Sequence, residues 1–155
     1  MAIIAANPRG AIYGTIVATA VIAAAAGHAS LWRIVAATVA TLAVFWLAHV
    51  YADFLDHGLR EARSHLKVLP AIMSRELSML AAPALSIVFL VLGAVGLFGE
   101  ALAIRLALWN GVLQLLAWGT DVGRRRGQGW PAALLTGVVN AVFGVVIIIL
   151  EVLLH

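Results

Sequence analysis

The chain has 155 residues, of which 64% are hydrophobic and 11% charged, and its formal net charge is +3. A soluble domain of this length cannot hide that much apolar surface, whereas a bilayer accepts it on the outside of the fold. Cysteine is absent, which excludes disulfides, thiolate metal sites and cysteine nucleophiles.

A bilayer-spanning helix needs roughly 20 apolar residues, since each adds about 1.5 Å to a hydrocarbon core of about 30 Å. Five stretches meet that need, at about 11–26, 31–55, 77–98, 101–119 and 131–154. The expected fold class is therefore all-α, a polytopic transmembrane bundle of five helices forming one integral membrane domain over 1–155. The first stretch follows Arg9 and ends in small residues, as a signal peptide does, but Leu31 opens another span almost at once. Two linkers, Gly27–Ser30 and Gly99–Glu100, are so short that the helices they join must be antiparallel neighbours.

Between the second and third spans, residues 56–76 read differently. Leu59, Ala62, Leu66, Leu69 and Met73 recur at spacings of three and four, with Arg60, Glu61, Arg63 and Lys67 between them. This predicts an amphipathic helix lying on the inner leaflet, broken near Pro70.

Basic residues set the expected orientation. Arg9, the group Arg60, Arg63, Lys67 and Arg75, and the run Arg124–Arg126 all fall on one side of a five-helix bundle. Arg33 and Arg105 fall toward the other side, about one turn into their helices, where they can snorkel outward. The positive-inside rule then places the N-terminus in the cytoplasm and His155 outside, in a multi-pass protein of the inner membrane. The alanine-rich composition fits a bacterial chain. Trp46, Trp118 and Trp130 suit the inner interface, and Trp32 the outer.

The densest polar group is in the second span: His49, Asp53 and His57, with Tyr51 and Asp56 beside them. Steps of four residues advance a helix by about 400°, so the three side chains follow one slowly winding face. Imidazole and carboxylate together suit divalent ions such as iron, manganese or zinc, and histidine can relay protons. This makes His49, Asp53 and His57 the candidate metal ligands, with a divalent ion as substrate and no resident cofactor. The competing reading is that these residues are solvated at a helix end.

Asn110 and Gln114 lie four apart in the fourth span, and Asn140 lies in the fifth. Amides in membrane helices join neighbours by hydrogen bonds or line a pore. The pairs Gly119/Gly123 and Gly137/Ala141 have the small-xxx-small spacing of close helix contacts. The expected partner on these residues is the lipid bilayer, with the small pairs marking helix–helix contacts. No phosphate-cradling glycine loop, serine elbow, HExxH pattern or basic-aromatic nucleic-acid surface occurs, so neither an enzyme nor a nucleic-acid binder is expected.

The order of elements resembles that of the vacuolar iron transporter family. Its members have five membrane helices, a cytoplasmic N-terminus and a cytoplasmic insertion between helices two and three. That family opens on a pattern like R-x-x-V-x-G-x-N-D-G. Here Arg9 and Gly14 match, while Val17 and Ala18 stand where the family has aspartate and the second glycine. The family's second helix carries a pattern like M-x-x-G-E-Y-L-S. Here His49 replaces the methionine, Ala52 the glycine, Asp53 the glutamate and Phe54 the tyrosine. The resemblance implies a homodimer that moves ferrous or manganous ions out of the cytosol against protons, with His49 and Asp53 inheriting the path. The runner-up function is a membrane scaffold or partner subunit that keeps such a fold without transport.

Overall fold

The computed structural model describes residues 7–60 and 65–154, with side chains for all of these except 57–68, 151, 152 and 154. The described residues form helices throughout: α1 (Pro8–Ala25), α2 (Leu31–Arg60), α3 (His65–Glu76), α4 (Ser78–Ala81), α5 (Ala84–Ala94), α6 (Glu100–Arg125) and α7 (Trp130–Leu154). Helices α1, α2, α6 and α7 each contain a segment long and apolar enough to cross a membrane. Gly27, Gly96 and Gly127 turn the chain after α1, α5 and α6 with φ of 75°, 85° and 76°, a conformation that costs glycine little.

The stretch expected as one span over 77–98 is broken. Segments Leu69–Ala81 and Ala84–Ala94 together pass as a membrane-crossing pair, but they meet at a bend of 50°. Pro83 is the cause. It has no N–H for the Met79 carbonyl, and its ring crowds that carbonyl in a straight helix. The break expected near Pro70 is not there: Pro70 is the sixth residue of α3, which continues to Glu76. A proline near a helix start deletes one hydrogen bond without ending the helix. Most of the side chains that suggested an amphipathic face over 56–76 lie outside the described residues.

Helix α6 is the centre of the bundle, lying against α7, α1 and α5. Its buried positions Ala103, Ala107, Gly111, Leu115, Gly119 and Gly123 recur every four residues, and five of the six are glycine or alanine. Small residues let helix backbones approach closely, which matters where lipid offers no hydrophobic drive for association. At Gly119 a Cβ would lie 2.8 Å from the Gly137 Cα of α7 and 2.9 Å from the Thr136 carbonyl. At Gly14 of α1, a Cβ would lie 2.8 Å from the Met79 carbonyl carbon and closer still to its oxygen. The Gly14 hydrogen in that place points at the carbonyl that Pro83 leaves without its helical donor.

Buried hydroxyls are satisfied locally. Thr15, Thr19 and Thr38 donate to the carbonyls of Ala11, Thr15 and Ile34 at 2.8, 2.7 and 2.8 Å. This keeps these three hydroxyls paired in the interior, where, among the described residues, the Trp46 Nε1 is buried without a hydrogen-bond partner. The outer face of α7 is the opposite case, with Leu134, Leu135, Val138, Val142 and Phe143 exposed. An apolar surface of that kind is compatible with lipid.

Candidate functional site

The start of α1, the later part of α2 and the end of α3 line an open polar cavity of about 540 Å³. Asn7 begins its construction. Its side-chain oxygen accepts from the Gly10 N–H at 3.1 Å, capping α1, and Pro8 follows at the first helical position. With its carbonyl oxygen engaged on the helix, the Asn7 amide NH₂ is turned to donate to Glu76 Oε1 at 2.9 Å. Glu76 is only 4% exposed. Its carboxylate also accepts from Arg75 Nε at 3.3 Å.

Arg75 reaches in a second direction. Its Nη2 donates to Asp53 Oδ2 of α2, so one guanidinium bridges the carboxylates of Asp53 and Glu76. Arg75 and Asp53 are partly exposed, with side-chain accessibilities of 48% and 35%. Arg9 lines the same cavity. Two arginines and two carboxylates therefore balance in charge around it.

Tyr13 and His49 close another side. Their rings meet edge to face with centroids 5.4 Å apart and planes at 61°. His49 Nδ1 is 2.9 Å from the Phe45 carbonyl oxygen. A carbonyl only accepts, so in the neutral imidazole Nδ1 carries the proton and Nε2 keeps a lone pair for a proton or a metal.

His49 and Asp53 thus line one cavity, and Asp53 has an ion partner in Arg75, 22 positions along the chain. The side chain of His57 lies outside the described residues. Among the described residues no group of three or more His, Cys, Asp or Glu is gathered as a metal site.

The amides lie elsewhere. Asn110 Nδ2 donates to Ser86 Oγ of α5 at 2.8 Å, and Ser86 donates to the Ala107 carbonyl at 3.0 Å. The Gln114 side-chain amide lies 3.3 Å from Thr15 Oγ1 of α1, whose single proton is already on the Ala11 carbonyl. Asn140 Nδ2 donates to the Thr136 carbonyl of its own helix at 2.9 Å and lies against Gly119.

Sequence reasoning missed Asn7, Tyr13 and Glu76 as wall residues, and used Arg75 only for orientation. The Asn7–Glu76 bond joins positions 69 apart, a separation that no helical period marks. A searchable signal did exist at Asn7-Pro8, an N-cap followed by proline at the first helical position. Comparison with family models, characterised proteins and solved structures finds no match to this chain.

Proposed function

We propose that this chain is a multi-pass protein of a bacterial inner membrane that moves a small cation, coupled to protons, through the Asp53–His49 cavity. The observation that carries the reading is the Arg75 guanidinium shared by Asp53 and Glu76. It occupies the place where the cavity stabilises positive charge. An arriving divalent cation can take that place only if Arg75 swings away, and a proton on Asp53 releases Arg75 in the same way. Asp53 then offers oxygens and His49 offers Nε2, two donors of the kinds that suit iron- or manganese-like ions, with water completing the coordination.

The charge asymmetry of the linkers supports a cytoplasmic N-terminus and an outside C-terminus, which puts this cavity at the cytoplasmic end. A homodimer enters the reading through the family resemblance alone, since the small residues of α6 and α7 pack against helices of the same chain. The resemblance to the vacuolar iron transporters, carried by Arg9, Gly14 and the acidic Asp53 in place of glutamate, suggests the substrate class.

The test is flux in proteoliposomes, with a panel of divalent cations and an imposed pH gradient. Expected are pH-dependent flux in the wild type, its loss in Asp53→Asn, and an altered pH dependence in His49→Ala. Wild-type protein that moves no cation under any gradient would remove the transport reading.

One observation favours a second reading, a non-transporting scaffold. Asp53 is already neutralised by Arg75, and the pair ties α2 to α3 as a structural clasp would. In that case Asp53→Asn costs little stability, Arg75→Gln costs more because it also takes the guanidinium from the nearly buried Glu76, and neither changes flux.

A further inference from the structure

A second cavity, of about 380 Å³, opens where α6 ends beside the start of α1 and the first turns of α7. Three arginines line it: Arg9 of α1, Arg125 at the end of α6, and Arg126 just beyond it. No carboxylate lines it. Arg125 is held by Asp121, with Nε to Oδ2 at 2.6 Å. Among the described residues, Arg9 and Arg126 form no ion pair. The polar wall from α7 adds no negative charge. Asn140 spends its amide on the Thr136 carbonyl, and the Thr136 hydroxyl lies 3.0 Å from both Gln128 Oε1 and the Ala132 carbonyl. Ile12 and Val122 supply the apolar remainder.

Like charges gathered around one concavity repel unless an anion joins them. Guanidinium groups match phosphate oxygens in pairs, and basic pockets between membrane helices suit acidic headgroups. We propose that this pocket binds a phosphate group, with the arginines as its ligands. Two sources carry that chemistry, an anionic phospholipid headgroup and free phosphate. The lipid is the better fit to the surroundings, because Trp130, Leu134 and Leu135 stand exposed on the first turns of the adjoining α7. The proposal is independent of cation movement in the neighbouring cavity, although Arg9 lines both.

The test is native mass spectrometry of the full chain in detergent. It is titrated with phosphatidylglycerol, with phosphatidylcholine of the same acyl chains, and with inorganic phosphate. The wild type should retain phosphatidylglycerol over phosphatidylcholine. Arg126→Gln, which touches this cavity alone, should weaken retention by about fivefold, and Arg9→Gln with Arg126→Gln by roughly thirtyfold. Arg124→Gln is the control. Its guanidinium lies 4.8 Å from the Trp130 ring centroid and donates to the Gln128 carbonyl at 3.0 Å, and it does not line the cavity. It should retain the lipid as the wild type does. Binding of inorganic phosphate that the same two variants weaken supports the site and assigns it to free phosphate. Equal retention of the two lipids with no phosphate binding overturns the proposal. So does retention that the double variant leaves unchanged, or that Arg124→Gln lowers as much.

Discussion

Replacing Gly14 by alanine tests whether the contact between α1 and α4 organises the polar cavity. The new Cβ would lie 2.8 Å from the Met79 carbonyl carbon and 3.0 Å from its Cα, where ordinary contacts begin at 3.4 Å. All the atoms it meets are backbone, so no side-chain rotation relieves the clash. The helices must part by an appreciable fraction of an ångström, at an overpacking cost near the upper end of about 1–3 kcal/mol. Alanine returns about 1 kcal/mol through its better helix propensity. Parting α1 from α4 also stretches the 2.9 Å bond from Asn7 to Glu76, which joins the start of α1 to the residue two before α4. A hydrogen bond to a charged group contributes about 1.5–3 kcal/mol, and part of that goes with it. The net expectation is a loss of about 3 kcal/mol. It can be read from SDS-induced unfolding of the detergent-solubilised protein followed by far-UV circular dichroism. Gly99→Ala is the reference, because a Cβ there meets nothing within 4 Å; it should stay within about 1 kcal/mol of the wild type. If Gly14→Ala unfolds within about 0.5 kcal/mol of the wild type, the α1–α4 contact yields cheaply and the reasoning fails.

Further substitutions read other parts of the structure by the same unfolding measurement or by labelling. Glu76→Ala removes the acceptor shared by Asn7 and Arg75 in a nearly buried place, and should cost about 1–3 kcal/mol. Asp53→Asn, at a half-exposed pair, should cost under about 1 kcal/mol, and a larger loss would mean the pair is shielded from solvent. Ser86→Ala takes the hydroxyl from between Asn110 and the Ala107 carbonyl and should cost about 1 kcal/mol. Asn110→Ala in the Ser86→Ala background should then add less than it does alone. Single cysteines at Gly99 and Gly129 flank α6, whose 26 residues span about 39 Å. An impermeant thiol reagent should reach them from opposite faces of a sealed vesicle, and labelling of both from one face would contradict a membrane-crossing α6.

Four of the expected spans were legible because each is a long apolar run closed by a local signal. Asn7-Pro8 opens α1, Gly27 ends its turn, Glu100 opens α6 and Gly127 follows its end. The third was less legible because hydropathy ignores backbone chemistry. Residues 77–98 are apolar throughout, yet Pro83 divides them, and Leu77 divides α3 from α4. Proline was weighed at Pro70, near a helix start where it does little, and not at Pro83, where it bends the chain. At the site, His49 and Asp53 could be singled out because both lie on one helix with four-residue spacing. Arg75 and Glu76 could not be, since their place beside Asp53 depends on how α3 returns along α2. The arginine pocket was hidden for the same reason. Arg9 and Arg126 are far apart in sequence, and counting positive charges sums them without locating them.

The every-fourth-residue row of small side chains on α6 has a geometric consequence for movement. Each step of four residues rotates about 40° beyond a full turn, so the five steps from Ala103 to Gly123 carry the row roughly 200° around the helix. The row therefore meets α5 at Ala103 through Gly93, α1 at Gly111 through Thr19, and α7 at Gly119 and Gly123 through Gly137 and Ala133. It is a thread cut around a shaft and not a groove along it. Straight sliding of α6 would drive larger side chains into backbone on several sides at once. A one-step screw, roughly 6 Å of advance with roughly 40° of rotation, is blocked as well, because it brings Leu115 into the place of Gly111 or Gly119, where even a Cβ meets Thr19 or the α7 backbone. Helix α6 is thereby fixed in both height and rotation, and it carries Arg125 and Arg126 at its end, and Asn110 and Gln114 along its length, as one rigid rod.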